Sequence, residues 1–161
     1  MYILGINAYH ADSAAVLIKD GKLIAAIEEE RIRRVKHWAG FPSEAIKFCL
    51  GYAGVRIQDV DHIALNRNPK AHYLKKIWFT LKTRPNVWWL WNKFMNQVKV
   101  ASPKEELARM LGVRASAVRA KFHNIEHHKA HLASAFFVSP FDEAALLSVD
   151  SMGDFVSTMW G

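Results

Sequence analysis

Two histidines four residues apart are the side chains in this sequence best suited to chemistry. His127 and His131 lie in residues 126–137, a stretch rich in alanine, without glycine or proline, that is followed by Ser139-Pro140. This composition predicts a helix. Side chains four apart on a helix project about 40° apart on one face, so both imidazoles could bind one zinc- or iron-type ion. The same spacing also fits two histidines that merely share a helix face, because HxxxH alone is a weak motif.

The predicted helix needs a surface on which to pack. Leu132, Ala135 and Phe136 form an apolar stripe along it, which predicts packing against a sheet. His128 lies about 100° from His127 around the helix and is expected to face elsewhere.

Short apolar runs bounded by turn residues predict the strands that position this helix. The predicted strands are residues 2–6, 14–18, 22–29, 60–66, 120–126, 144–150 and 155–160. Asp20-Gly21 indicates a tight hairpin, so the first three strands are expected to form an antiparallel meander. Ser43 is expected to cap a helix over residues 44–53 that ends at Gly54. The charged run 28–36 is interpreted as a solvated strand end and loop.

Residues 66–100 differ in kind from the rest of the chain. They contain eight lysines and arginines, no acidic residue, and six tryptophans and phenylalanines. Two helices are predicted, over about 70–83 and 86–99, and a third begins at Pro103 and ends near Leu111. A packed helical insertion with a solvated basic face is the favoured interpretation. Peripheral membrane or partner contact is the alternative, and nucleic acid is the least favoured partner.

Composition limits the class of protein. The chain has 161 residues, a formal net charge of +7 and one cysteine, Cys49, so no internal disulfide can form. Residues 1–7 lack the basic and long apolar regions of a signal peptide, and no run of about 20 apolar residues is present. A globular cytoplasmic protein is therefore the simplest expectation.

The two ends of the sequence resemble each other. Each has a strand that ends on a short polar side chain, Asn7 or Asp150, followed by a polar turn and another strand. The expected organisation is a first lobe over residues 1–140, with a helical insertion at about 67–120, and the truncated start of a second lobe over 141–161. Such a fragment is expected to have little activity alone.

Several segments together resemble one family. GINAYHADSAAVL, AAIEEERIRRVKHWAGFPSEAI and EHHKAHLASAFFVSPFDEAALLSVD, followed by SMGD, are similar to the N-terminal part of the NodU-type O-carbamoyltransferases. The similarity covers both ends of the chain well and residues 67–120 poorly. The histidine helix followed by Ser-Pro-Phe and a strand ending in aspartate is far more specific than HxxxH alone.

The resemblance implies a fold, an activity and cofactors. The fold is α/β: a ribonuclease H-like (actin-like ATPase) mixed sheet, related to that of threonylcarbamoyl-tRNA transferases, with a YrdC-like C-terminal domain as the missing partner. The implied activity uses ATP and carbamoyl phosphate to form a carbamoyl-adenylate, from which the carbamoyl group passes to a hydroxyl of a sugar- or antibiotic-like acceptor. The implied metal is divalent, with Fe(II) favoured over zinc, and Mg²⁺ could also take part.

The resemblance also assigns roles to individual residues. His127, His131 and Asp150 match metal ligands, and a further carboxylate ligand belongs to a region that this sequence lacks. His10 matches a histidine at the transfer site and could act as general base, whereas Lys36 could neutralise phosphate. The polar turns suggest phosphate or nucleotide binding at Asn7, Ser13 and Gly153. The family usually has Asp-Gly-x-Gly-Glu where this chain has Asp-Ser-Met-Gly-Asp at residues 150–154.

Two other functions stay open at this point. One is a different ATP-binding enzyme of the actin-like fold, such as a threonylcarbamoyl-tRNA transferase or a sugar kinase. The other is a non-catalytic module that uses the basic, tryptophan-rich helices to bind membranes or partner proteins.

Overall fold

The computed structural model describes residues 1–9, 11–83, 102–154 and 156–161, which form two sheets and flanking helices. The strands are β1 (Tyr2–Asn7), β2 (Ala14–Lys19), β3 (Lys22–Glu28), β4 (His62–Leu65), β5 (Lys121–Asn124), β6 (Leu147–Gly153) and β7 (Val156–Trp160). The helices of the described residues are α1 (Glu29–Arg33), α2 (Ser43–Ala53), α3 (Tyr73–Thr83), α4 (Pro103–Leu111) and α5 (His127–Phe136).

The larger sheet has five strands in the order β3-β2-β1-β4-β5. The strands β1, β2 and β3 form the expected antiparallel meander, and β4 and β5 add to it in parallel with β1. An antiparallel meander extended by two parallel strands on the side of its first strand is the topology of the ribonuclease H-like fold. The predicted fold class is therefore confirmed.

The hydrophobic core lies on one face of this sheet. Alternate strand residues point to that face, where Leu4, Leu17 and Ile63 are fully buried. Helix α2 contributes Ile46 and helix α4 contributes Leu107, both also fully buried. The opposite face is covered only in part, and the candidate site lies on that side.

The helical insertion agrees with its prediction where the structure describes it. Helix α3 corresponds to the first predicted helix, and the second, over 86–99, lies outside the described residues. Helix α4 begins as expected, because Ser102 Oγ accepts a hydrogen bond from the backbone N–H of Glu105 at 3.2 Å. It ends at Gly112, which has the left-handed conformation (φ 67°) that glycine adopts readily. None of the helices in the described ranges is long and apolar enough to cross a membrane.

The segment after β3 differs from its prediction. Residues 29–33 form the short helix α1 instead of a loop, and Glu29 is fully buried there. Its carboxylate accepts hydrogen bonds from Arg33 Nε at 2.6 Å and from the backbone N–H of Ala45 at 2.7 Å. Glu29 therefore satisfies the first turn of α2, a role that the sequence assigned to Ser43. The Ser43 hydroxyl instead accepts a hydrogen bond from Arg33 Nη2 at 2.9 Å.

The second sheet is the β6–β7 hairpin near the end of the chain. Its register runs from Leu147 opposite Trp160 to Gly153 opposite Val156, with an irregularity between Val149 and Gly153. The strand β6 thus begins later than predicted and extends through the predicted turn to Gly153. The proposed division into a first lobe and the start of a second stays a prediction.

Candidate metal centre

Helix α5 follows β5 after a short connection and carries the two histidines. Its best-buried side chain is His128, whereas Ala135, a member of the predicted apolar stripe, is exposed. Leu132 and Phe136 of the stripe are half-buried, and the helix packs against the sheet formed by β6 and β7, as predicted. His128 adds hydrogen bonds to Ser148 on β6 and to Val156 on β7, which the stripe did not predict.

The hairpin brings Asp150 to the two imidazoles. His127 Nε2 lies 2.9 Å from Asp150 Oδ2 and 3.0 Å from His131 Nε2, and His131 Nε2 lies 3.7 Å from the same carboxylate oxygen. The side chain of His127 is 12% exposed, and those of His131 and Asp150 are 51% and 37% exposed. Two nitrogens and one oxygen therefore converge on a point that solvent can reach.

The carboxylate of Asp150 is stabilised in its charged form. Hydrogen bonds from His127 and, at 2.6 Å, from the backbone N–H of Ser151 lower the pKa of Asp150 to about 2. A carboxyl group binds a metal in its ionised form, so Asp150 is in the protonation state that metal binding requires.

These three residues fit a divalent transition metal. Atoms bound to one ion at about 2.1 Å lie about 3.0–3.4 Å from one another in octahedral or tetrahedral geometry. The three observed separations, 2.9, 3.0 and 3.7 Å, bracket that range. Imidazole with carboxylate suits zinc, iron and related ions, and three protein ligands leave positions open for other molecules.

Two residues of the β6–β7 turn hold the start of α5. Asp154 Oδ2 accepts hydrogen bonds from the backbone N–H of His127 at 3.0 Å and of Asn68 at 2.8 Å. Gly153 lies against the imidazole of His127, where a Cβ atom would come within 2.0 Å of the ring. The glycine is thus explained by its contact with His127, and its predicted role in phosphate binding stays a prediction.

A largely apolar cleft of about 810 Å³ lies on the less covered face of the five-stranded sheet. Gly5 and Val16 contribute to its floor, and Ala130 and Ala133 of α5 line one wall. Asn7 lies at its edge, where its side chain donates to the carbonyl of Asp12 at 3.1 Å and accepts from Asn66 at 3.0 Å. Among the predicted phosphate-binding residues, Asn7 therefore reaches a cleft.

Lys36 lies apart from the histidines, in a basic recess of about 380 Å³ that also includes Glu30, Arg31 and Arg34. Arg31 lines both this recess and the apolar cleft, so the two are neighbours. Three cations around one recess provide the charge that a phosphate group would need.

The first turn is fastened to the loop that follows α1. Ser13 donates its backbone N–H to the Trp38 carbonyl at 3.0 Å and its hydroxyl to the Gly40 carbonyl at 2.7 Å. The side chain of Ser13 is fully buried, and its predicted phosphate-binding role stays a prediction. Asp12 Oδ1 lies 2.9 Å from His37 Nδ1, a pair that the sequence did not single out. His10 lies outside the described residues.

Two residues beside the candidate metal centre, His128 and Asp154, were not predicted from the sequence to have a role there. His128 and Asp154 were visible as polar residues beside the predicted ligands, but their spacing carried no motif of their own. Their roles depend on contacts between α5 and a hairpin that begins more than ten residues after the helix ends.

A model of a protein family matches almost the whole chain. The family is described as the carbamoyltransferase N-terminus, and the match covers residues 2–160.

Two long relatives are similar over nearly all of the chain. The Synechocystis protein sll1178 is 38% identical over 169 residues, which covers 99% of this chain and 27% of that protein. The nodulation protein NolNO of Sinorhizobium fredii is 34% identical over 158 residues, which covers 94% of this chain and 21% of that protein. The chain thus spans about a quarter of the length of these relatives.

Among solved structures, YeaZ from Pseudomonas aeruginosa aligns with a TM-score of 0.46 and 13% sequence identity. That alignment covers 99% of this chain and 64% of YeaZ.

Proposed function

Because the chain belongs to the carbamoyltransferase family, whose N-terminal region it matches, we propose that it forms the metal-binding part of an O-carbamoyltransferase. In this proposal the carbamoyl group passes to a hydroxyl of a sugar- or antibiotic-like acceptor. The setting would be the cytoplasm, and a YrdC-like domain would form the carbamoyl-adenylate from ATP and carbamoyl phosphate.

The observation that carries the proposal is the convergence of His127, His131 and Asp150. Their ligand atoms all lie within 4.8 Å of one another, although the histidines and the aspartate come from different elements of the fold. The HxxxH spacing alone does not require a carboxylate beside the two imidazoles. The position of Asp150 therefore supports a metal site over the alternative that two histidines merely share a helix face.

These three residues would hold the divalent ion, which we propose to be Fe(II). When bound, such an ion supplies Lewis-acid chemistry, polarising an oxygen of the carbamoyl or phosphate group. The role of the protein residues is to fix the ligand geometry: Gly153 lets the His127 ring lie against the hairpin, and Asp154 fixes the backbone from which that ring projects.

The remaining residues would bind the donor and move a proton. The acceptor oxygen would form a bond to the carbamoyl carbon, while the bond from that carbon to the phosphate oxygen breaks and AMP leaves with the electron pair. Arg31, Arg34 and Lys36 would offset the phosphate charge from their recess, and Asn7 would contact the nucleotide from the cleft edge. His10 would take the proton of the acceptor hydroxyl.

The metal site is tested by titrating the purified chain with Co²⁺ in competition with a chelator of known affinity. We expect one ion per chain, and at least a hundredfold weaker binding in His127→Ala and in Asp150→Asn. His123→Ala is the matched control, because that histidine lies on β5, hydrogen-bonded to His62 and away from the three ligands. Undiminished Co²⁺ affinity in both site variants would remove the basis of the proposal.

The transfer is tested with radiolabelled carbamoyl phosphate, ATP and hydroxyl acceptors, using the metal-loaded chain alone and joined to the C-terminal part of a longer relative. We expect labelled acceptor and AMP in equal amounts, and neither product with His127→Ala. Metal-loaded protein that transfers no label in either form would contradict the carbamoyltransferase assignment.

A further inference from the structure

His128 is the side chain that joins the histidine helix to the β6–β7 hairpin. Its side chain is fully buried, and both ring nitrogens are used. His128 Nδ1 lies 2.8 Å from Ser148 Oγ on β6, and His128 Nε2 lies 2.8 Å from the carbonyl oxygen of Val156 on β7. One imidazole therefore holds both strands of the hairpin to α5.

The two contacts define how the ring is protonated. A carbonyl oxygen can only accept, so the hydrogen between His128 and Val156 must be on Nε2. In the neutral ring Nδ1 is then an acceptor, and Ser148 donates its hydroxyl to it. The pairing is directional, and an apolar side chain of the same size could fill the space without reproducing it.

The hydrogen bond between His128 and Ser148 also affects the position of Asp150. Ser148 and Asp150 both point towards α5, since Ser148 contacts His128 and Asp150 contacts His127. Leu147 and Val149, which alternate with them, are 70% and 71% exposed on the other face. The hydrogen bond between His128 and Ser148 therefore joins the neighbour of His127 on the helix to a residue two positions before Asp150 on the strand.

The hairpin ladder alone leaves Asp150 poorly fixed. The register of β6 against β7 is regular up to Val149 and resumes at Gly153, with Asp150 inside the irregular stretch. Strand register is weakly specified where ladder pairing is interrupted, and a slip of one residue turns a side chain to the opposite face. The hydrogen bonds of His128 hold β6 to α5 on the Val149 side of the irregularity, and the bond from His127 N–H to Asp154 holds it on the other side, so the two together keep Asp150 aimed at the imidazoles.

We propose that His128 is a positioning residue that holds the Asp150 strand in register with His127 and His131. The consequence for metal binding rests on the proposed function, whereas the consequence for the His127–Asp150 contact does not. Loss of His128 would leave all three ligands in the sequence but separate the carboxylate from the imidazoles.

The test uses His128→Phe, which keeps the ring volume without the hydrogen bonds, and Ser148→Ala, which removes one partner at little risk to folding. His128→Gln is the rescue variant, because its side-chain N–H can reach the Val156 carbonyl. His123→Phe is the control for loss of a half-buried histidine elsewhere. Thermal unfolding establishes that each variant is folded before the two readouts are compared.

The first readout needs no metal. The imidazole nitrogen resonances of His127 in the metal-free protein report its hydrogen bond to Asp150. We expect them to shift towards those of a solvated histidine in His128→Phe and Ser148→Ala, to return partly in His128→Gln, and to stay constant in His123→Phe. Unchanged His127 resonances in folded His128→Phe and Ser148→Ala would overturn the proposal.

The second readout is the Co²⁺ dissociation constant together with the visible absorption spectrum of the bound ion. Changes to residues that orient metal ligands typically weaken binding about ten- to a hundredfold, and we expect this range for His128→Phe. The proposal would also be overturned if His128→Phe bound Co²⁺ with the same affinity and the same absorption spectrum as the parent protein. If the parent chain binds no Co²⁺, the metal centre is refuted, and the His127 resonances still decide the role of His128.

Discussion

Gly153 lies so close to the imidazole of His127 that position 153 has no room for a side chain. A Cβ atom at Gly153 would lie 2.0 Å from Cδ2 and 2.3 Å from Cγ of the His127 ring. Separations under 3 Å are not tolerated, so a side chain at this position must displace either the imidazole or the hairpin. The orientation of a proposed metal ligand thus depends on the absence of one methyl group.

Gly153→Ala should therefore weaken metal binding by roughly tenfold or more and destabilise the fold by about 1–3 kcal/mol, as overpacking usually does. Co²⁺ titration and urea unfolding measure the two effects. Gly51→Ala is the matched control, because a Cβ atom there meets nothing within 4 Å and the residue lies on the surface of α2. That change should leave metal affinity unchanged and stabilise the helix slightly. Equal metal affinity in both variants would contradict the close contact.

Glu29→Gln should destabilise the protein by about 2–4 kcal/mol in urea unfolding, because it weakens a buried ion pair and the hydrogen bonds to the first turn of α2. The comparison is Glu28→Gln, since Glu28 pairs with Arg31 at 3.0 Å on the surface. Exposed pairs contribute little, and we expect less than about 1 kcal/mol there. Similar losses in the two variants would show that burial of Glu29 has no energetic consequence.

The stability of the fold should depend on pH through His37, which pairs with Asp12 in the turn between β1 and β2. The hydrogen bond to the Asp12 carboxylate, with a smaller contribution from Glu30, raises the pKa of His37. The folded pKa exceeds the unfolded value of about 6.5. The pair therefore stabilises the fold fully below about pH 6.5 and loses this effect as the pH rises through the folded pKa.

Asp12→Asn should return the His37 pKa, followed by NMR, towards its ordinary value. The stability difference between parent and variant should be largest at about pH 5–6, where His37 is protonated in both the folded and the unfolded state, and should shrink as the pH rises through the folded pKa. Asp142→Asn removes an exposed acid elsewhere and should leave the His37 titration unchanged. A parent pKa that Asp12→Asn does not lower would contradict the contact.

Asp154→Ala should free two backbone amides that its carboxylate holds. Hydrogen exchange at the N–H groups of His127 and Asn68 should become faster, and stability should fall by about 1–2 kcal/mol. Ser102→Ala, which removes the cap of α4, should cause a loss of similar size without changing those two amides. Unaltered exchange at both amides in Asp154→Ala would rule out the bridging role.

The predicted strands and the juxtaposition of the three proposed ligands follow from different kinds of sequence information. The strands β1, β2 and β3 follow from apolar alternation and the Asp20-Gly21 turn, which are local properties of the chain. The pairing of His127 and His131 follows from helix geometry alone. The place of Asp150 beside them came from resemblance to a family, because nothing local relates a strand residue to a helix that ends before it.

What the sequence missed depends on contacts between distant residues. The run 28–36 has the composition of a solvated loop, but Glu29 is buried because the N–H groups of α2 and the Arg33 guanidinium satisfy it. The apolar stripe on α5 was a reasonable guide to packing, yet His128 seats the helix because the hairpin offers it two hydrogen-bond partners. Gly153 was assigned to phosphate by analogy with glycine-rich turns, and only its distance to His127 revealed another reason for glycine.

The proposed ligands come from two elements that are separate in the chain, since the histidines belong to helix α5 and the aspartate belongs to strand β6. An ion bound by all three would act as a cross-link between residues 19 or more positions apart in the chain. By thermodynamic linkage, any free energy gained on binding would also oppose separation of the hairpin from the helix. Resistance of residues 137–161 to proteolytic cleavage would then report how much of the protein carries its ion.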